Sequence, residues 1–313
     1  MYISCPVFPL VLGITSANCD TRLLIRYMEH DMSDPLSLRT DLDELFGHVL
    51  VFDSGVGGLT IARELSEMAP SLSIDYAADT GFFPYGDKSD DELRDRLPKV
   101  AKALFEAVQP DAFVIACNTA STLALDNVRA ALPCPVIGTV PAIKPAALQS
   151  KTGTIGLLAT PGTIQRAYTD KLIADFASDI DVIKHGSIAL VALAEAVARG
   201  EAPEIGAFAA AQSALFDAPG GDRIDTIVLA CTHFPLVRQE LAQSAPRAVC
   251  YIDSGEAIAR QTLRQLIRLA SNKPPERETA CGYITDALDK RAELVSVFGR
   301  FGFVPTRSIN VPD

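Results

Sequence analysis

From His48 onward, short apolar runs alternate with longer stretches in which apolar residues recur every three or four positions. The runs HVLVFD (48–53), LSIDYAA (72–78), AFVIAC (112–117), PVIGTV (135–140), TIGLLAT (154–160), DVIKHG (181–186), TIVLAC (226–231) and AVCYID (248–253) predict strands. LTIARELSEMA (59–69), DDELRDRLPKVAKALFEAV (90–108) and the stretches 164–177, 188–198, 204–216 and 255–270 predict amphipathic helices. Continuous apolar strands alternating with helices indicate parallel sheets covered on both faces, an α/β fold. In such sheets ligands bind beyond the carboxyl ends of the strands, so the polar turns there are where function is expected.

Two strand ends match: AFVIACNTAST (112–122) and DTIVLACTHFPL (225–236) each run through β-branched residues into Ala-Cys, then Asn-Thr or Thr-His. The repetition predicts two equivalent α/β halves facing each other. A chain of 313 residues has room for two such units with a cleft for a small ligand. Residues 1–46 lack a settled period and read as an N-terminal extension. Its apolar start has no cationic segment and carries Pro6 and Pro9, unlike an export signal; Met28 or Met32 is an alternative start.

Composition narrows the classes. With 48% hydrophobic and 21% charged residues the chain is ordinary globular material. A net charge of −11 and no basic run exclude an evident nucleic-acid surface, and no apolar stretch reaches the length of a membrane span. Seven cysteines without paired CxxC spacing suggest reduced thiols and a cytoplasmic protein rather than a disulfide framework or zinc ribbon.

Of these cysteines, Cys117 and Cys231 stand where a strand end meets the cleft. A lone cysteine is usually a small buried hydrophobe. Two at matching strand ends, flanked by Asn118, Thr119, Thr232 and His233, instead suggest paired acid/base groups: one thiolate removes a weakly acidic proton and the opposite thiol supplies another, inverting a stereocentre. A helix is expected after each cysteine, its N-terminus favouring a thiolate and a substrate carboxylate. His233 is open to four readings: a metal ligand, half of a Cys-His nucleophilic pair, a proton-handling partner of Cys231, or a structural residue. VFDSGVGGLTIAREL (51–65) is Gly-rich but lacks the Lys-Ser/Thr of a phosphate loop; Asp53 at its strand end is placed to bind an ammonium or tune a thiol. In ADTGFFPYGDKS (78–89), Pro84 and Gly86 frame Tyr85 in a rigid turn, with Asp79 and Tyr85 as candidate ligand contacts.

VFDSGVGGLT, the PYG turn, ACNTAST, VPAIKPA, GLLATPGTI and LACTHFPL, in this order, resemble the glutamate racemase family of the aspartate/glutamate racemase superfamily across residues 49–270. The resemblance implies two similar doubly wound α/β domains with a pseudo-twofold relation and an active site in the interdomain cleft. It implies residues 47–140 plus 253–313 as the first domain and 141–252 as the second. It further implies cofactor-independent racemisation of glutamate for peptidoglycan, with no metal and no pyridoxal phosphate. Cys117 and Cys231 are then the acid/base pair, assisted by Asp53 and His233. The substrate-binding residues are Asp53, Ser54, Pro84, Tyr85, Gly86, Asn118, Thr119, Thr232 and His233, with Asp79 and Glu195 as supporting acids. CNTAS and CTH favour glutamate over aspartate. The alternatives are an aspartate racemase or related two-cysteine isomerase, or a noncatalytic binder on this scaffold. The VPAIKPA stretch is shared with members activated by UDP-N-acetylmuramoyl-alanine, which makes that precursor a candidate partner beside glutamate, and a homodimer is compatible with the family.

Overall fold

The computed structural model describes residues 45–269, 280–286 and 292–312. Nearly all of the N-terminal extension therefore lies outside the described residues, with the exception of Leu45 and Phe46. Leu45 is fully buried in the first core.

Two parallel sheets organise the chain. The first has six strands in the order β10-β9-β2-β1-β3-β4, with β1 His48–Asp53, β2 Ser73–Ala78, β3 Ala112–Ile115, β4 Val136–Gly138, β9 Gly282–Ile284 and β10 Thr306–Ser308. The second has four in the order β6-β5-β7-β8, with β5 Thr154–Ala159, β6 Asp181–Gly186, β7 Thr226–Leu229 and β8 Cys250–Ile252. The inner order 2-1-3-4 of the first sheet recurs as 6-5-7-8 in the second, so β3 and β7, which carry the two Ala-Cys ends, occupy equivalent places. This is the doubly wound α/β architecture expected from the sequence, in two related halves.

Alternation along each strand explains the layers. Val49 and Val51 enter one core with Leu59, Leu263 and Leu266, while Leu50 and Phe52 enter another with Leu97, Leu104 and Phe113. In the second sheet Ile155 and Leu157 face one core and Leu158 the other. Each fully buried Leu, Ile or Phe contributes about 1.5–3 kcal/mol, which is why the strands read as unbroken apolar runs. The covering helices include α1 (Leu59–Met68), α2 (Asp90–Val108), α3 (Asn118–Ala131) and α4 (Ile143–Gln149). Further along come α5 (Pro161–Ile164), α6 (Ala167–Phe176), α7 (Ile188–Ala198), α8 (Ile205–Asp217), α9 (Arg238–Ser244), α10 (Gly255–Leu269) and α11 (Ala292–Arg300). Among the described residues none is long and apolar enough to cross a membrane.

Two local expectations change, and one stretch for which none was given adds strands. The helix expected over 164–177 is two, α5 and α6, because Arg166 takes an extended backbone (φ −81°, ψ 139°) and sends its guanidinium to the carbonyl of Thr119 and to Asp90. The chain after 280, without a clear pattern in sequence, adds β9 and β10 to the first sheet and packs Phe298 and Phe303 on Tyr76. After Cys231 no α-helix starts: a 3-10 turn, Phe234–Val237, with Pro235 in its opening positions, precedes the short α9.

Candidate active site

A cavity of about 630 Å³ opens between the two sheets, lined by the turns after β1, β2, β3, β5 and β7 together with α7 and the start of α11. It receives Ser54, Pro84, Tyr85, Gly86, Asn118, Thr119, Thr232, His233 and Glu195 along with both cysteines. Asp53 and Asp79 are fully buried behind its wall.

Cys117 is the N-cap residue of α3, placed there by the end of β3, and it is buried. Its Sγ lies 4.0 Å from Ser54 Oγ. Burial first, then the negative charge of Asp53, push its thiol well above the ordinary range, outweighing the help given to a thiolate by the Ala120 N–H. Asp53 is itself saturated with hydrogen bonds: Oδ1 accepts from Ser54 N–H (2.6 Å), and Oδ2 accepts from Gly58 N–H and from Thr232 Oγ1 (3.0 Å). The last of these crosses between the two units.

Cys231 Sγ lies 3.8 Å from His233 Nδ1, and His233 Nε2 lies 2.8 Å from Glu195 Oε1. Burial opposes a charge on His233, but its hydrogen bonds to Cys231 and Glu195 and the charges of both carry its pKa well above the ordinary value. Burial likewise opposes a charge on Glu195, and the His233 hydrogen bond and charge outweigh it, so its carboxyl titrates below the ordinary value. Both shifts run in the direction that favours an imidazolium facing a carboxylate. Glu195 also accepts from Val56 N–H at 3.3 Å, tying the Gly-rich turn of the first unit to α7 of the second.

The glycines of that turn serve close approach between units. A Cβ on Gly57 would meet His233 Nδ1 at 2.6 Å and Thr232 Oγ1 at 2.7 Å, and one on Gly55 would meet Glu195 Oε1 at 2.6 Å. Tyr76 donates its hydroxyl to the Gly55 carbonyl at 2.7 Å and holds the turn from behind.

Other polar groups complete the wall. The buried Asn118 Oδ1 has no hydrogen-bond partner in the protein, an arrangement suited to an incoming donor. Thr119, Thr160 and Thr163 bring their hydroxyls to 3.0–3.3 Å of one another where α3 meets α5. Thr160 and Thr163 were not singled out from the sequence, although Thr160 follows β5 as Ser54 follows β1. Asp79 supports the site from behind: Tyr85 donates to it at 2.7 Å and Arg96 at 2.8 and 3.1 Å. Tyr85 therefore turns its hydroxyl toward Asp79. Among the described residues no three His, Cys, Asp or Glu side chains converge as metal ligands. Among the described residues Cys117, Cys134, Cys231 and Cys281 stand outside any disulfide.

Residues 60–262 match the family model described as Asp/Glu/Hydantoin racemase. The chain is 50% identical over 213 residues to glutamate racemase of Sphingopyxis alaskensis, spanning 68% of this chain and 80% of that protein. It is 42% identical over 255 residues to glutamate racemase of Pectobacterium carotovorum, spanning 82% and 88%. Its fold matches the crystal structure of Escherichia coli glutamate racemase in complex with L-glutamate and the activator UDP-MurNAc-Ala, with TM-score 0.79 and 38% identity over 85% of this chain and 99% of that one.

Proposed function

The chain belongs to the glutamate racemases of the Asp/Glu/hydantoin racemase family, and from that premise we propose that it interconverts L- and D-glutamate with Cys117 and Cys231 exchanging the α-proton from opposite faces. The observation that carries the two-thiol reading is the pair of cysteines at equivalent strand ends of two sheets, both opening to one cavity.

Glutamate enters between the thiols with its Cα–H toward one sulfur. That sulfur, as thiolate, takes the proton; the electron pair of the broken C–H bond delocalises into the α-carboxylate; the opposite thiol then returns a proton to the other face. The α-C–H of a free amino acid is very weakly acidic, so positioned donors must stabilise the developing charge. The backbone N–H groups at the start of α3 supply them, and Asn118 Oδ1 offers an acceptor to the substrate's ammonium. Asp53 anchors Ser54 and Thr232 and, after burial, adds to what favours the protonated form of Cys117. His233, whose charged form the hydrogen bond to Glu195 favours, serves as proton donor on the Cys231 side. The hydroxyls of Thr119 and Thr160 are suited to the side-chain carboxylate.

The product supplies D-glutamate to peptidoglycan, and a reaction that needs the Cys117 and Cys231 thiols reduced suits the cytoplasm. Incubation of each enantiomer in D2O tests the reading: deuterium at Cα of both antipodes is expected, and no incorporation from either would remove it. Because the E. coli relative was crystallised with an activator, rates with and without UDP-N-acetylmuramoyl-alanine test its use here, and equal rates would dismiss it.

A further inference from the structure

The family match ends at residue 262, yet a side chain well beyond it reaches the back of the active site. Strand β9 pairs with β2 so that Ile284 lies beside Ala78, and the next residue, Thr285, donates its backbone N–H to the Ala78 carbonyl at 3.3 Å. That places the Thr285 hydroxyl against the turn leading from β2 into the Pro84-Tyr85-Gly86 segment. It donates to Asp79 Oδ1 at 2.6 Å and accepts from Gly81 N–H at 3.0 Å. One hydroxyl thus satisfies both ends of a short bridge, its proton given to the carboxylate and a lone pair to the amide.

The bridge has a direct continuation to the cavity. Asp79 is fully buried, and its other partners are Arg96 and the Tyr85 hydroxyl. Its backbone N–H donates to the Asp53 carbonyl at 3.0 Å, and its carbonyl accepts from Phe82 N–H at 3.0 Å. Pro84, Tyr85 and Gly86, which follow, line the cavity. The turn is fitted to this contact: a Cβ on Gly81 would lie 3.1 Å from the Thr285 carbonyl oxygen.

We propose that Thr285 is a positioning residue for substrate binding, a C-terminal element that sets the Pro84-Tyr85-Gly86 wall of the site through Asp79 and Gly81. The proposal rests on the glutamate racemase reading for its kinetic consequence. Thr285 touches no reacting atom, so its loss acts on how well the wall is set and not on the proton transfers.

Thr285→Val keeps the shape and removes the hydroxyl; Thr285→Ser keeps the hydroxyl. In the full-length protein Thr285→Val is expected to raise the KM for glutamate about tenfold, the scale of one hydrogen bond to a charged group, with kcat within about threefold of wild type. Amide exchange across residues 80–88 is expected to quicken in the absence of substrate, and Thr285→Ser to restore both readouts. A KM within about twofold of wild type overturns the proposal, as does a loss of kcat and melting temperature together that serine does not rescue. Should the wild-type protein fail to turn over glutamate, the function assigned above falls, and amide exchange alone decides: unchanged exchange at 80–88 in Thr285→Val overturns the positioning role.

Discussion

The two thiols occupy equivalent strand ends but have unlike surroundings. Cys117 caps a 14-residue helix and faces a buried carboxylate, Asp53, with no cation against its sulfur among its described contacts. Cys231 is followed directly by a 3-10 turn, with the short α9 starting only at Arg238, and beside its sulfur lies the His233 imidazole hydrogen-bonded to Glu195. Equivalent folds therefore deliver different surroundings: burial and a nearby carboxylate that favour the neutral thiol on one face, and a sulfur beside an imidazole whose charged form Glu195 favours on the other. The lesson is that a repeated backbone fixes where the reacting atoms stand, whereas the neighbours that set their protonation come from different elements in each half.

The largest test removes either sulfur. Cys117→Ala and Cys231→Ala are each expected to lower kcat/KM by about 10³-fold or more, the scale of a positioned acid/base group, measured by polarimetry in both directions. Activity near wild type in either variant would mean that the comparison concerns two structural cysteines.

Glu195→Gln attacks the asymmetry itself. It removes the charge that helps hold His233 protonated, so the His233 pKa falls, and the alkaline limb of the kcat profile is expected to move to lower pH with kcat down roughly 10–100-fold. A profile that does not move would detach His233 from the proton path. The same pair leaves a trace in stability. The raised pKa of His233 contributes stability that is present below about pH 6.5 and is lost as pH rises through its folded value. The lowered pKa of Glu195 contributes stability present above about pH 4.5 and lost as pH falls through its folded value. The excess in melting temperature of wild type over Glu195→Gln is therefore expected to be greatest between about pH 5 and 6.5 and to shrink toward alkaline pH.

The smallest effect is expected at the bond joining the two thiol neighbourhoods. Thr232→Val deletes the 3.0 Å contact to Asp53, which retains its bonds from Ser54 and Gly58. A loss of about 1.5 kcal/mol, near tenfold in kcat/KM and at the low end for a bond to a charged group, is expected in a steady-state assay. A hundredfold loss would make the crossing bond, and not the separate environments, the organising feature.

Local spacing in the sequence was enough for β1 to β8, for most helices and for the pairing of Cys117 with Cys231, but not for β9 and β10. Each of these depends on the period of side chains along one element, or on a strand ending where its apolar run ends. The Gly-rich turn was legible as a site of close approach, but what approaches it was not: Glu195 and His233 come from across the cleft. Glu195 lies within the mostly apolar run IALVALAEAVA of α7, and nothing local says that it crosses to His233 and Val56. Asp79 looked like a ligand contact because it follows a strand, and packing instead put it behind the wall as an anchor for Tyr85. The absence of an α-helix directly after Cys231, the hydroxyl cluster of Thr119, Thr160 and Thr163, and the reach of Thr285 to Asp79 all arise from contacts between segments distant along the chain. The sequence by itself thus determined which residues stand at the strand ends, because strand period and turn chemistry act over a few residues. Tertiary structure decided which charge faces each thiol, because electrostatic and hydrogen-bond partners act over a few ångströms between segments that only folding brings together.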